Sequence, residues 1–272
     1  MYEVHARQAV EQAIGAREMR RLESRRGVLN AIHRTATGNM RSDTTIAAFH
    51  YREGVLCVAD RKISTGDGDI MSQDYVKMNQ ISSHSIMLGS GFVSDMQLAI
   101  RTLQNVVHEF QQENGDSLSV AGQAYYLANL FRIWGEAFED GFLASMILVG
   151  FDKKRGPSIF LIHPGGAYYN RSEFATSGSG GVRIEDQLDA RWKPRLTRAE
   201  ALDVAMHGLI HSGMRDSATS PPLIALPTVA CVTHSGVEML GERVIERALG
   251  RALLTKRDVR KSFAKALIGG KE

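Results

Sequence analysis

Thr44 is the residue best placed by type and context to do chemistry. It lies in Asp43-Thr44-Thr45-Ile46-Ala47-Ala48-Phe49, where a polar, arginine-rich leader meets the first apolar run. A cut before Thr44 would give one residue both a nucleophilic hydroxyl and a free α-amine. An α-amine titrates near about pH 8, so it can serve as general base for its own hydroxyl, and no histidine is required. The nine histidines show no metal-ligand spacing and read as scattered surface or satisfied residues.

Several charged and glycine-flanked residues downstream could support such a nucleophile. Asp60-Arg61-Lys62 directly follows the apolar run Val55–Ala59. A triplet of this kind is ordinarily a solvated turn; its functional reading is a carboxylate that holds a lysine or the freed amine. Lys77 stands between Val76 and Met78 in a strand-like run, ordinarily an outward-facing position. As a buried ammonium beside Thr44 it would help generate the alkoxide and lower the amine pKa, because like charges disfavour one another. Gly89-Ser90-Gly91 ends a strand before a helix, so the Gly91 amide is either part of a plain turn or a donor to an oxyanion.

Two further motifs carry hydroxyls. Ser177-Gly178-Ser179-Gly180-Gly181 matches no phosphate-binding pattern, but a serine at such an elbow can hydrogen-bond a mature amine. Arg215-Asp216-Ser217-Ala218-Thr219 follows a helix and reads locally as its polar end.

These residues must be positioned by the elements around them. Ile46–Tyr51 and Gly54–Ala59 read as two short strands joined by Arg52-Glu53-Gly54. Ser64–Asp69 reads as a polar loop, and Tyr75–Ile81 with Ser85–Phe92 as a second strand pair. A helix is expected from Ser94 to about Gln112, with Met96, Ala99, Ile100, Leu103, Val106, Val107 and Phe110 on one face and Ser94 or Asp95 as cap. A second helix is expected from about Ser119 to Phe138. Ser145–Phe151, Ser158–His163 and Tyr168–Thr176 are strand-like. The glycine elbow leads into a helix with Ile184 and Leu188. Thr197-Arg198-Ala199-Glu200 is a capping box for the next helix, to about Ser212. Pro227–Thr233 and Gly236–Leu240 form a last strand pair, and Glu242–Ile268 is helical and basic. Runs of strands alternating with pairs of helices imply an α+β fold of two stacked antiparallel sheets with helix layers outside.

Composition narrows the function classes. The chain has 272 residues, is 43% hydrophobic and carries a net charge of +3, enough for a large core and without a long basic block. Nucleic-acid binding is therefore unmotivated. No run of roughly 18 apolar residues occurs, so no membrane span is expected. Cys57 and Cys231 lie in apolar runs and read as buried thiols of a reducing, cytoplasmic compartment. Residues 1–43 hold eight Arg and no Lys, lack the apolar centre of a secretory signal, and read as a solvated arm or a removable propeptide. Their end, Thr35–Asp43, reads as a flexible linker. The expected division is a leader over 1–43, a catalytic-type domain over 44–241 and a helical extension over 242–272.

In order and spacing, Thr44-Thr45-Ile46, Gly54-Val55-Leu56, Ala59-Asp60-Arg61-Lys62, Val76-Lys77, Gly91, Gly178-Ser179-Gly180 and Arg215-Asp216-Ser217-Ala218-Thr219 resemble the β-type subunits of 20S proteasomes, bacterial and archaeal members above all. The resemblance spans about Thr44 to Leu253 and implies the N-terminal-nucleophile hydrolase fold, a four-layer αββα sandwich. It implies that Thr44 is the nucleophile and its freed amine the base. Asp60 and Lys77 match the carboxylate and lysine beside it. Ser179, Asp216 and Thr219 match the group that orients the amine, and Gly91 the oxyanion amide. Ile63, Tyr75, Gly89 and Val93 match the lining of the specificity pocket, with Gly89 at its floor leaving room for a large side chain. The implied reaction is peptide-bond hydrolysis through an acyl ester, without metal or cofactor. The implied partners are unfolded polypeptide, further copies in rings, α-type subunits and an unfolding ATPase.

Three departures stand out. Asp43 precedes Thr44 where glycine is usual, one extra residue lies before Lys77, and Ser220-Pro221-Pro222 replaces a glycine pair. Asp43 and the proline pair motivate a second reading, an unprocessed, catalytically silent ring subunit.

Overall fold

Side-chain alternation along the central strands accounts for the layering. Ile46, Ala48, Val55, Cys57, Ala59, Ala230 and Val232 share one apolar cluster, whereas Ala47, Phe49, Leu56, Val58, Val229 and Cys231 belong to another. Successive residues of a strand point to opposite faces, so this sheet is buried on both sides. The same holds for Ile86, Leu88, Ile147 and Val149 on one face of a second sheet, and Met87, Met146 and Leu148 on the other. That is why these strands read as continuous apolar runs although both sheets are antiparallel.

The computed structural model describes residues 40–42, 44–65, 69–137 and 143–254. The elements begin with β1 (Met40–Ser42), β2 (Ile46–Tyr51), β3 (Gly54–Ala59), β4 (Ile63–Thr65), β5 (Ile70–Ser72), β6 (Met78–Ser82) and β7 (Ser85–Phe92). Helices α1 (Val93–Asn114) and α2 (Val120–Ala137) follow, then β8 (Ala144–Asp152), β9 (Gly156–Ile162), β10 (Tyr168–Arg171) and β11 (Phe174–Ser177). The chain continues through α3 (Gly181–Arg191), α4 (Arg198–Arg215), β12 (Thr228–Thr233) and β13 (Gly236–Met239) to a helix over residues 242–254, α5.

One sheet has the order β11-β2-β3-β12-β13. The other runs β10-β9-β8-β7-β1-β4-β5, and β6 also pairs with β7. The first half of β7 pairs with β6 through Met78↔Leu88, and its end pairs with β1 through Ser42↔Gly91. Helices α1 and α2 cover one outer face, and α3, α4 and α5 the other. The result is the four-layer αββα arrangement expected from the element order.

Several boundaries differ from the sequence reading. Met40–Ser42, expected within a linker, forms β1, paired on both sides. Ser64 and Thr65, expected in a loop, belong to β4. The strand expected from Tyr75 begins only at Met78, so Tyr75, Val76 and Lys77 are irregular. Tyr168–Thr176 is two strands, and they belong to different sheets. Neither Ser94 nor Asp95 caps α1: the N-cap is Phe92, without a side-chain bond, and the buried Asp95 carboxylate instead accepts from the Leu143 amide at 2.9 Å. The Thr197–Glu200 capping box forms in both directions, and α4 runs on to Arg215. The leader before Met40, Asp43 and the helical expectation beyond residue 254 lie outside the described residues.

Candidate active site

β3 ends at Ala59, and the next residue is pinned against the start of β2. The Asp60 amide donates to the Thr45 carbonyl at 3.1 Å. The Asp60 carboxylate is almost completely buried and is the hub of the site. Its Oδ1 accepts from the Thr44 hydroxyl at 2.7 Å, the Lys77 ammonium at 2.8 Å and the Thr45 amide at 2.9 Å. Its Oδ2 accepts from the amides of Lys62 and Ser220, both at 3.0 Å. A carboxylate is tolerated in the interior only when paired and hydrogen-bonded in this way.

Lys77 is 1% exposed, not the outward-facing strand residue that its neighbours suggest. The irregular segment before β6 turns its side chain inward, while its carbonyl accepts from the Gly89 amide at 3.0 Å and so ties it to β7.

The turn between β11 and α3 supplies the second half of the site. Gly178 has φ +90°, and a Cβ there would lie 2.2 Å from the Thr44 carbonyl oxygen. Only glycine allows this approach. The Gly180 amide donates to that carbonyl at 3.1 Å. Ser179 donates to Asp216 Oδ2 at 2.7 Å, and Thr219 donates to the same oxygen at 2.6 Å. Asp216 thus gathers the two hydroxyls that the resemblance groups with it, although its motif reads locally as a helix end.

Gly91 has φ +108°, and a Cβ there would meet the Leu143 carbonyl oxygen at 2.1 Å. It stands opposite Ser42, two residues before Thr44. Ile63, Val93 and Met96 share one apolar cluster, and Tyr75 packs against it. Gly89 is buried beside them, but the room at its α-carbon is already filled. A Cβ there would lie 2.6 Å from the Met96 sulfur and 3.2 Å from the Met146 methyl. The Met96 thioether of α1 lies over Gly89, at the place where the sequence reading puts room for a large side chain.

All eleven residues singled out in the sequence therefore fall in three connected groups. These are Thr44–Asp60–Lys77, Ser179–Asp216–Thr219 and the β4–β7–α1 cluster beside Gly91. The sequence reading missed Thr45, whose side chain contacts both Thr219 and Ser212, and Ser212 itself. The available signal for Ser212 was its spacing, one helical turn before Asp216. It also missed the Ser220 amide, which is bonded to Asp60 although Ser220 belongs to the unusual Ser-Pro-Pro segment. An open groove of about 650 Å³ bounded by Arg191, Lys193, Glu200, Asp203, Arg251 and Leu254 shares no residue with these groups. Among the described residues no three His, Cys, Asp or Glu side chains are grouped to hold a metal ion, and no helix is long and apolar enough to cross a membrane.

Two antiparallel sheets stacked between helix layers, with a threonine, a carboxylate and a lysine gathered at the head of a central strand, define the N-terminal-nucleophile hydrolase fold. The family model "Proteasome subunit" matches residues 40–224, and the chain belongs to that family. It is 29% identical to proteasome subunit beta 1 of Streptomyces avermitilis, over 88% of this chain and 86% of that one. It is likewise 29% identical to proteasome subunit beta 2 of Thermomonospora curvata, over 74% and 73% of the two chains. An archaeal relative, proteasome subunit beta of Methanocaldococcus vulcanius, is 26% identical over 76% and 89%.

Proposed function

We propose that this chain is a threonine-type endopeptidase subunit of a proteasome-like ring complex, active once residues 1–43 are removed. The observation that carries this reading is the sharing of Asp60 Oδ1 between the Thr44 hydroxyl and the Lys77 ammonium. A nucleophile held beside a buried cation needs less free energy to lose its proton. The cut exposes the Thr44 amine, which takes the hydroxyl proton, directly or through a water. Thr44 Oγ then bonds to the scissile carbonyl carbon, and the Gly91 amide receives the developing oxyanion. The C–N bond breaks, the leaving amine takes the proton, and an ester remains on Thr44. Water, deprotonated by the same amine, hydrolyses that ester.

The leader segment supports the substrate class. Residues 40–42 lie antiparallel between β4 and β7, with Met40↔Thr65, Arg41↔Ser64, Arg41↔Phe92 and Ser42↔Gly91 in register. Thr44 is fully buried beside them. An extended, unfolded polypeptide can take the same place by strand addition once the leader leaves, whereas folded protein cannot. Further copies forming rings, α-type subunits, an unfolding ATPase and a cytoplasmic location complete the proposal.

A second reading is an unprocessed structural subunit, favoured by Asp43 and by the Ser220-Pro221-Pro222 turn packed on Gly213. Hydrolysis of an unfolded polypeptide by the assembled protein decides between them. The peptidase reading requires cleavage that Thr44→Ala abolishes while rings persist. Equal cleavage by Thr44→Ala, or none by the assembled wild type, rejects it.

A further inference from the structure

Three segments meet at one corner of the outer helix layer. Gly180, at the head of α3, lies against α4: a Cβ there would be 2.2 Å from Ser212 Oγ. Gly213 of α4 lies against the segment that follows, where a Cβ would be 2.7 Å from the Pro221 α-carbon. The Pro221 carbonyl accepts from the Ile224 amide at 2.9 Å and the Ala225 amide at 3.3 Å, which closes a turn. These approaches set the first turn of α3, the last turn of α4 and the 221–224 turn side by side.

What they present outward is apolar. Val182 of α3, Met214 of α4, and Leu223 and Ile224 of the turn are 58–70% exposed. Single exposed apolar residues are ordinary, but four of them from three converging segments make a patch, and such patches mark contact surfaces. The turn is held by its own hydrogen bonds and by Pro221 against Gly213, so a partner finds it already formed. It continues from Ser220-Pro221-Pro222, the stretch that replaces the glycine pair usual in the family.

The rim of the patch indicates what covers it. Asp186, one helical turn after Val182, is exposed, and so are Arg183 beside Val182 and Arg215 beside Met214. An apolar centre with both signs of charge around it can face a copy of itself, basic rim against acidic rim; a rim of one sign would repel its own copy.

We propose that this corner is a docking surface for a second copy of the chain, the two copies being related by a two-fold axis that seats each patch on the other. Such a contact is isologous, and it differs from the head-to-tail contacts that close a ring, which join two unlike surfaces. The inference rests on the assembly part of the reading above and not on its peptidase chemistry.

The test is the native mass of the full chain as wild type, as the double variant Leu223→Asp/Ile224→Asp, and as Val182→Asp. All three positions are exposed, so the fold tolerates the changes, while a carboxylate at the apolar centre of an interface breaks it. Breaking a two-fold contact separates two identical bodies, so each variant is expected at half the wild-type mass. Leu223→Cys supplies a second reading that needs no destabilising charge. Across a two-fold axis residue 223 approaches its own copy, so mild oxidation with copper phenanthroline should join chains in pairs, with Cys57 and Cys231 buried and unreactive. Equal masses for wild type and both variants, a fall of a larger assembly directly to single chains, or no linked pairs from Leu223→Cys overturns the proposal. An assembled wild type that hydrolyses nothing overturns the peptidase reading and leaves these masses as they are, so the two failures are distinguishable.

Discussion

The hydroxyl of Thr44 donates to the carboxylate of Asp60 at 2.7 Å, and the same oxygen receives the ammonium of Lys77 at 2.8 Å. Both ionic partners are buried, so removing either leaves an uncompensated charge. Lys77→Ala is expected to cost at least about 100-fold in kcat/KM, because it deletes the buried ammonium that shares Asp60 Oδ1 with the nucleophile. Asp60→Ala should also lower the unfolding free energy by about 3–5 kcal/mol. Steady-state kinetics and denaturant unfolding check the two. Wild-type turnover in Lys77→Ala would contradict the assignment.

Gly178→Ala should separate placement from chemistry. It forces a side chain into a left-handed backbone and against the Thr44 carbonyl at 2.2 Å. The expected outcome is loss of hydrolysis with Asp60 and Lys77 intact, read by kinetics alongside circular dichroism. Full activity would mean that the Thr44 carbonyl can move without consequence.

Met96 offers a test of specificity. Its thioether fills the space over Gly89, so Met96→Ala should deepen the cluster formed by Ile63, Val93 and Met146. Cleavage profiling is expected to shift toward larger apolar residues before the scissile bond. The variant should lose about 2–5 kcal/mol of stability to the cavity. An unchanged profile would place substrate side chains elsewhere.

The buried thiols give a chemical test of the layering. Cys57 and Cys231 lie in different apolar clusters, and burial raises the pKa of both. A raised thiol pKa leaves little thiolate, the reactive form. Native protein should show no reaction with a thiol reagent, and unfolded protein should titrate both cysteines. Rapid native labelling would contradict the sheet packing.

Burial lowers the pKa of His50 below its usual value of 6.5. Below that pH the unfolded chain binds a proton that the folded chain resists. This contribution is therefore present above pH 6.5 and is lost as pH falls through the folded pKa. Thermal unfolding from about pH 7 to pH 5 should fall more steeply for wild type than for His50→Gln. Parallel curves would assign the pH dependence to other groups.

The doubly buried strands were legible in the sequence because runs such as Val55–Ala59 are apolar at every position. The capping box at Thr197 was legible because both of its bonds are local. Lys77 was harder to read. Its inward turn depends on a partner 17 residues away, and a lysine flanked by Val76 and Met78 carries no local mark of burial. Met40–Ser42 lacks strand patterning, since its pairing comes from the open edges of β4 and β7. Ser212 and Thr45 are 167 residues apart, and their contact depends on the close approach at Gly180, which local sequence does not encode.

The most direct measurement is the intact mass of the purified, assembled protein, with N-terminal sequencing. The account predicts a chain beginning at Thr44, whose free amine completes the site around Asp60 and Lys77. An assembled chain still beginning at Met1 would contradict it, because Thr44 would then have a peptide bond where its base should be.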